Sequence, residues 1–458
     1  MRRREHGREC RGVMIVKRLD RRSLVSGVAA LGLAAWLPGG RSAAFAQSAS
    51  TPVAIAPTPG WAELGLMQGF PPPPELTVTR ANWGVEPYIR WAAQHARQLF
   101  PTTPVGDWNP SPAAFANGEG ALGEITITDD AGAAIGLDEA LFLTQTDAFL
   151  VLKDQEIVDE RYFNSMTPVT PHILASQTKA IIGILALDLA ASGTIGLAQL
   201  AKEWIPELAG NPLGEATIEQ LLDMQVAVAF PDLDPFFGFF FAVGMLDLPP
   251  GYAGPRAVYD YLLSAKAAGP AGSVFQYANA STETVGWVLR RATNRSLADL
   301  TAERLWNPIG MAQPGAFILD PIGTEIASGG FVCTARDLAR FGDMVRAGGS
   351  IGGTQIVAPK SIAALEAGFA SEAPLARELF RASQYEETAP GFTFRTGWWL
   401  PNDPGGSYEA RGMFGQRLFV APWAGVTILQ FASQLGAIRY DTMMERMFQQ
   451  IATALAAK

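Results

Sequence analysis

Ser176-Gln177-Thr178-Lys179 sets a hydroxyl and an amine three residues apart. A serine hydroxyl is a weak nucleophile at neutral pH and needs a base within hydrogen-bond reach. Residues three apart on a helix share a face. Lys179 can therefore serve Ser176, provided burial or a positive neighbour lowers its pKa. At a helix start, Ser176 also sits among outward-pointing N–H groups that favour developing negative charge. The run Ala180-Ile181-Ile182-Gly183 keeps the surroundings apolar. Alone, an S-x-x-K match arises by chance about once per few hundred residues. The same four residues also suit an N-cap serine beside a solvated lysine.

A second element, Phe275-Gln276-Tyr277-Ala278-Asn279, precedes a helical pattern over 281–293. Tyr277 can relay a proton between nucleophile and leaving group, and Asn279 can hold Lys179. The competing reading is a buried tyrosine bonded to a backbone carbonyl. A third element, Ala410-Arg411-Gly412-Met413-Phe414-Gly415-Gln416, leads into an apolar strand. Gly412 and Gly415 allow a substrate close to the strand edge. An N–H there, with that of Ser176, would form an oxyanion hole. Taken singly, it reads equally as a glycine-rich turn.

In this order the three elements resemble the serine β-lactamase-like (penicillin-recognising) superfamily, which includes D-alanyl-D-alanine carboxypeptidases and related esterases. Within it the chain is most similar to the 6-aminohexanoate-dimer hydrolase branch, close to class C β-lactamases. The resemblance runs over about residues 80–455. It is carried by Thr146-Asp147-Ala148-Phe149-Leu150-Val151-Leu152, Asp223-Met224-Gln225, Phe275-Gln276-Tyr277, Cys333-Thr334-Ala335-Arg336-Asp337-Leu338-Ala339-Arg340 and Gly412-Met413-Phe414-Gly415-Gln416. It implies Ser176 as nucleophile, Lys179 as base and Tyr277 as relay. It also implies oxyanion N–H groups on Ser176 and Met413, support from Asn279, Gly412 and Gly415, and no cofactor or metal.

Two departures shape the expected substrate. Where relatives carry K-T-G or H-x-G, this chain has Ala410-Arg411-Gly412, so the cation for a substrate carboxylate is absent or moved to Arg411. That turns the expectation from β-lactams and D-Ala-D-Ala peptides towards esters and small amides. The branch also uses an extra tyrosine after the D-M-Q segment, where Phe230-Pro231-Asp232-Leu233-Asp234 has none. Five phenylalanines follow within 236–241. Phe236, Phe237, Phe239 and Phe240 would line an apolar pocket, or be core.

The elements that must hold these residues read as α+β. Thr144 to Phe163 predicts a hairpin turning at Lys153-Asp154-Gln155. A helix is predicted from Ser176 to about Ser192, ended by Gly193. Further helical patterns occupy 197–204, 216–224, 255–266 and 335–347, with strands at 393–400, 416–421 and 425–431 and a last helix over about 440–457. Strands at both ends around a helical middle predict an antiparallel sheet flanked by helices, with a mostly helical insertion at about 195–320.

The 458 residues, 48% hydrophobic, suffice for one large domain. Residues 1–46 read as an export signal. Arg21-Arg22 precede the apolar stretch Leu24–Leu37, and Ala44-Phe45-Ala46 offers a cleavage site. The paired arginines point to the twin-arginine route and the periplasm, while a short membrane anchor is the bland alternative and Met14 an alternative start. Residues 47–79 read as a linker or extended arm. Of 35 basic and 44 acidic residues, ten and three lie in 1–46, leaving 25 against 41, a net charge of −16. Such a chain is unsuited to nucleic acid or an anionic membrane surface. No apolar run in the body is long enough to span a bilayer. Cys333 would be the only mature cysteine, which excludes an internal disulfide and argues against a cysteine-based metal site.

Gly348-Gly349-Ser350-Ile351-Gly352 matches G-x-S-x-G, but that motif needs a preceding strand and a following helix, and here a helix precedes it. His95 and His172 are the histidines left for a triad, and His172, just before Ser176, is the rival base. Two functions therefore stand. One is a Ser-Lys-Tyr hydrolase acting on a small-molecule ester or amide, with β-lactamase or carboxypeptidase activity behind it. The other is a non-catalytic ligand-binding protein, which would have no need of Ser176, Lys179 and Tyr277 together.

Overall fold

A computed structural model describes residues 59–112, 115–118, 122, 125–234, 237–434 and 441–457. The signal read over 1–46 and the start of the arm, 47–58, lie outside them. Residues 59–79 pack on the body, with Leu66 and Val78 buried in its core.

The central sheet is built from β1 (Thr146–Lys153), β2 (Glu156–Tyr162), β3 (Thr393–Arg395), β4 (Trp398–Leu400), β5 (Tyr408–Gly412), β6 (Gln416–Ala421) and β7 (Val426–Ala432). Their spatial order is β3-β4-β5-β6-β7-β1-β2, all antiparallel, with Ala116–Asn117 parallel beyond β2. The predicted first hairpin is β1–β2. Asp154 and Gln155 take φ of 48° and 71°, the left-handed pair that a two-residue hairpin turn demands. β1 reads as one apolar run because helices cover both of its faces. On one side Phe149 and Val151 meet Phe419, Ile428 and a helix over Asp441–Ala456. On the other, Leu150 and Leu152 join the main core with Leu418 and Leu429.

The strand expected over 393–400 is two strands, β3 and β4. Thr396 and Gly397 between them have φ of 51° and 86°. A Cβ on Gly397 would run into the backbone carbonyl of Lys179, so this turn is pressed against the helix that carries the candidate base.

The helices that matter for the site are α1 (Thr178–Ala191), α2 (Asn279–Thr293) and α3 (Ala335–Arg346). The helix expected over 197–204 shrinks to one 3-10 turn at Ala201–Glu203. Leu200 is extended, and Ile205 is driven out of helical geometry ahead of Pro206. The patterns at 216–224 and 255–266 shorten to Ile218–Leu222 and Val258–Leu263. A second sheet escaped the sequence reading. It joins Thr102–Val105, Gly315–Ile318, Phe331–Thr334 and Pro171–Ile173, all antiparallel, and its last strand runs straight into Ser176.

Candidate active site

Ser176 lies in a 3-10 turn, Ala175–Gln177, immediately before α1. Ala175 has φ of +47°, a left-handed conformation that costs a non-glycine residue about 1–2 kcal/mol. The turn is held by Thr178, whose Oγ1 donates to the Ala175 carbonyl at 2.7 Å and accepts from the Phe331 N–H at 3.1 Å. The small sheet thus fixes the backbone on which Ser176 stands.

Lys179 is 2% exposed. Its Nζ donates to Ser176 Oγ at 3.0 Å, Asn279 Oδ1 at 2.9 Å and the Ser328 carbonyl at 2.6 Å. Three ammonium protons meet three acceptors. Burial lowers the Lys179 pKa to about 7, against the opposing pull of the Glu283 charge. Tyr277 shares a hydrogen bond with Ser176, while burial pushes its hydroxyl well above the usual tyrosine range. Its ring lies 4.9 Å from Lys179 Nζ. Near neutrality Tyr277 is a phenol and Lys179 is divided between amine and ammonium, so Lys179 is the group able to accept the serine proton.

β5 reaches this point at its end. A Cβ on Gly412 would collide with the Leu174 carbonyl oxygen, so only glycine lets the strand come up to the serine turn. Met413 to Gly415 form a tight turn with Phe414 at φ 67°. Gln416 braces it, its Nε2 donating to the carbonyls of Met413 at 3.2 Å and Ala432 at 2.6 Å. Ser176, Lys179, Tyr277, Asn279 and the Gly412–Met413 strand end are thus brought together.

Of the two expectations for the cation, absent or moved to Arg411, the second does not hold. Alternation along β5 sends Ala410 and Gly412 towards the serine turn and Arg411 to the other face. There its guanidinium pairs with Glu409 and, at 3.4 Å, with Glu445. It also lies over the rings of Phe392 at 4.5 Å and Trp399 at 5.3 Å. It does not take over as a free cation for a substrate carboxylate.

The phenylalanine run divides. Phe236 lies outside the described residues. Phe239 is buried against Tyr261 and Phe240, in the core. Phe240 is part-buried on that core, and Phe237 leans on Phe241. The rings beside Tyr277 come from elsewhere: Trp399 at 5.5 Å, Phe394 at 5.7 Å and Tyr385 at 6.0 Å between centroids, backed by Phe275. Tyr385 brings a second phenol next to Tyr277 from a segment unrelated to the D-M-Q loop. No spacing signal in the sequence links these residues. Glu283, by contrast, stands one helical turn after Asn279 and was open to a periodicity argument.

The rival nucleophile and bases fall away. Both ring nitrogens of fully buried His172 are engaged, with Asp147 Oδ2 at 3.2 Å and the Ile173 carbonyl at 3.0 Å. His95 stacks on Trp91. Ser350 lies in a small hairpin after α3 and donates to the Ala347 carbonyl at 2.9 Å.

A model of the Beta-lactamase family matches residues 143–447. The chain belongs to that family. A curated relative, the 6-aminohexanoate-dimer hydrolase of Paenarthrobacter ureafaciens, is 29% identical over 78% of this chain and 88% of its own length. A solved structure from Bacillus anthracis, provisionally named a 6-aminohexanoate-dimer hydrolase, is 32% identical with a TM-score of 0.76, covering 84% of this chain and 98% of that one. At the level of fold, EstCE1, a hydrolase with promiscuous acyltransferase activity, aligns at 17% identity and a TM-score of 0.52, over 70% and 96% of the two chains. This Beta-lactamase-family protein is accordingly a serine hydrolase. Among the described residues, no group of acidic, histidine and cysteine side chains could hold a metal, and no helix is long and apolar enough to cross a membrane.

Proposed function

We propose that this hydrolase cleaves small linear amides and esters through an acyl-enzyme on Ser176. The observation that carries the proposal is the seat of Lys179, buried and 3.0 Å from Ser176 Oγ with a pKa near 7. Neutral Lys179 takes the serine proton as Oγ bonds to the substrate carbonyl carbon. The N–H groups of Ser176 and Met413 receive the oxyanion. As the intermediate collapses, the proton passes through Tyr277 to the departing amine or alcohol. Water, deprotonated by Lys179, then attacks the acyl carbon. As the Oγ–carbon bond breaks, Lys179 returns that proton to Ser176 Oγ, releasing a carboxylic acid product and a neutral lysine.

The relatives' names support an amide such as the 6-aminohexanoate dimer, and esters stay in view because an acyl-enzyme on a serine forms from either. The engagement of Arg411 with Glu409 and Glu445 speaks against a carboxylate clamp of the β-lactam type. Residues 1–46 support export to the periplasm: replacing Arg21 and Arg22 by lysine should retain the protein in the cytoplasm on fractionation.

The test is labelling by a fluorophosphonate, with turnover of p-nitrophenyl esters, 6-aminohexanoate dimer and a chromogenic cephalosporin, alongside Ser176→Ala. Labelling and turnover of ester or amide, both lost in Ser176→Ala, are expected. Absence of label and turnover in the wild type would favour the binding-protein reading.

A further inference from the structure

Glu283 is a fully buried carboxylate on α2, one turn beyond Asn279, so the two side chains leave the same helix face. Its Oε1 accepts from the Ser328 N–H at 2.8 Å, and its Oε2 from the Ala327 N–H at 3.1 Å. The carbonyl of that same Ser328 receives the shortest hydrogen bond of Lys179, 2.6 Å. α2 therefore reaches the lysine twice: directly through Asn279, and through a backbone segment that Glu283 grips with both oxygens.

A buried carboxylate is costly unless it is paired and hydrogen-bonded. Burial raises the Glu283 pKa, while the Ser328 side chain, the two N–H groups and Arg290 pull it down. Arg290 is itself fixed by Glu325, at 3.0 Å to Oε2 and 2.6 Å to the carbonyl. The groups facing this carboxylate are Lys179 from α1, Tyr261 from the Val258–Leu263 helix and Arg290 from its own helix, with Tyr277 against Lys179.

We propose that Glu283 is a positioning residue for the hydrolysis. It clamps Ala327 and Ser328 so that the Ser328 carbonyl, together with Asn279, aims Lys179 at Ser176, and its negative charge faces the lysine cation. The inference rests on Lys179 being the base. Glu283 acts through the lysine and does not touch substrate. Its charge favours protonated Lys179, so the apolar seat and Glu283 act in opposite senses on the pH at which the amine becomes free.

Glu283→Gln and Glu283→Asp in the full chain test this, read by pH profiles of ester turnover, fluorophosphonate labelling and thermal melting. The glutamine offers one acceptor to two N–H groups and no charge. Its kcat should fall on the order of tenfold, and the acidic limb of its profile should move to lower pH. The aspartate keeps the charge on a shorter arm, so kcat should fall with the limb close to wild type. A folded Glu283→Gln with wild-type kcat and limb overturns the proposal. So does a loss of activity that follows thermal stability with the limb unmoved. If the glutamine variant does not fold, the aspartate decides: lowered kcat supports the clamp, and wild-type kcat removes it. A wild type that takes no fluorophosphonate would sink the Ser176–Lys179 reading instead.

Discussion

Lys179 donates to Ser176 Oγ across 3.0 Å from a side chain that is 2% exposed. That relationship couples activity to pH in one direction. Only the neutral amine can take the serine proton, and its pKa is lowered to about 7 by burial. kcat/KM for an ester should therefore rise about tenfold per pH unit below that point and level off above it. A rate independent of pH across the neutral range would contradict the assignment.

The same burial leaves a mark on stability. A lysine whose pKa falls from 10.5 unfolded to about 7 folded gives up protons on folding between those values, so stability rises with pH across that window. Below about 7 the full cost of the buried cation is present. The melting-temperature difference between wild type and Lys179→Met should accordingly change in favour of wild type as pH is raised from neutral to about 10. A constant difference would mean that Lys179 is not perturbed.

Tyr277→Phe removes the hydroxyl that meets Ser176 and leaves the ring against Trp399 and Phe394. Turnover should fall by about 10²- to 10⁴-fold, the usual worth of a proton-transfer group, with little change in melting temperature. Retention of near wild-type kcat would remove Tyr277 from the proton path.

Gly412→Ala places a methyl group against the Leu174 carbonyl and should push the end of β5 away from Ser176. Overpacking of this kind costs about 1–3 kcal/mol. Fluorophosphonate labelling should slow more than melting alone accounts for, because the Met413 N–H moves with the strand. Labelling at the wild-type rate would show that the strand end takes no part in the oxyanion site.

Arg411→Ala should act as a core lesion and not as a specificity change. It takes their shared guanidinium from Glu409 and Glu445 but leaves Arg417 3.9 Å from Glu409, so the loss should fall below the cost of an uncompensated buried charge, about 3–5 kcal/mol. Among folded variants, KM for carboxylate-bearing and neutral esters should move together. A selective loss of the carboxylate-bearing ester would restore Arg411 as a substrate contact.

What the sequence determined by itself was short in range. Ser176 and Lys179 share a face because a helical turn puts them there. Tyr277 and Asn279 lie two residues apart at the start of α2. β1 and β2 pair through a turn of two left-handed residues. In each case backbone geometry over a few residues fixes the relationship, so residue types and spacing are enough to read it. The helix expected over 197–204 shows the limit: apolar spacing alone missed the extended backbone of Leu200, which forms a β-bridge with Thr217.

Tertiary structure decided the rest. Ser328 supplies the third acceptor of Lys179, and Glu283 supplies the grip on Ser328. Tyr385 and Trp399 stand beside Tyr277, and Phe239 goes to the core. Whether Arg411 could greet a substrate depended on the parity of one strand, because a shift of one position exchanges the faces of Ala410 and Arg411. Such contacts join segments far apart in the chain. They are set by how helices and sheet pack and by the register of pairing, which no local spacing records.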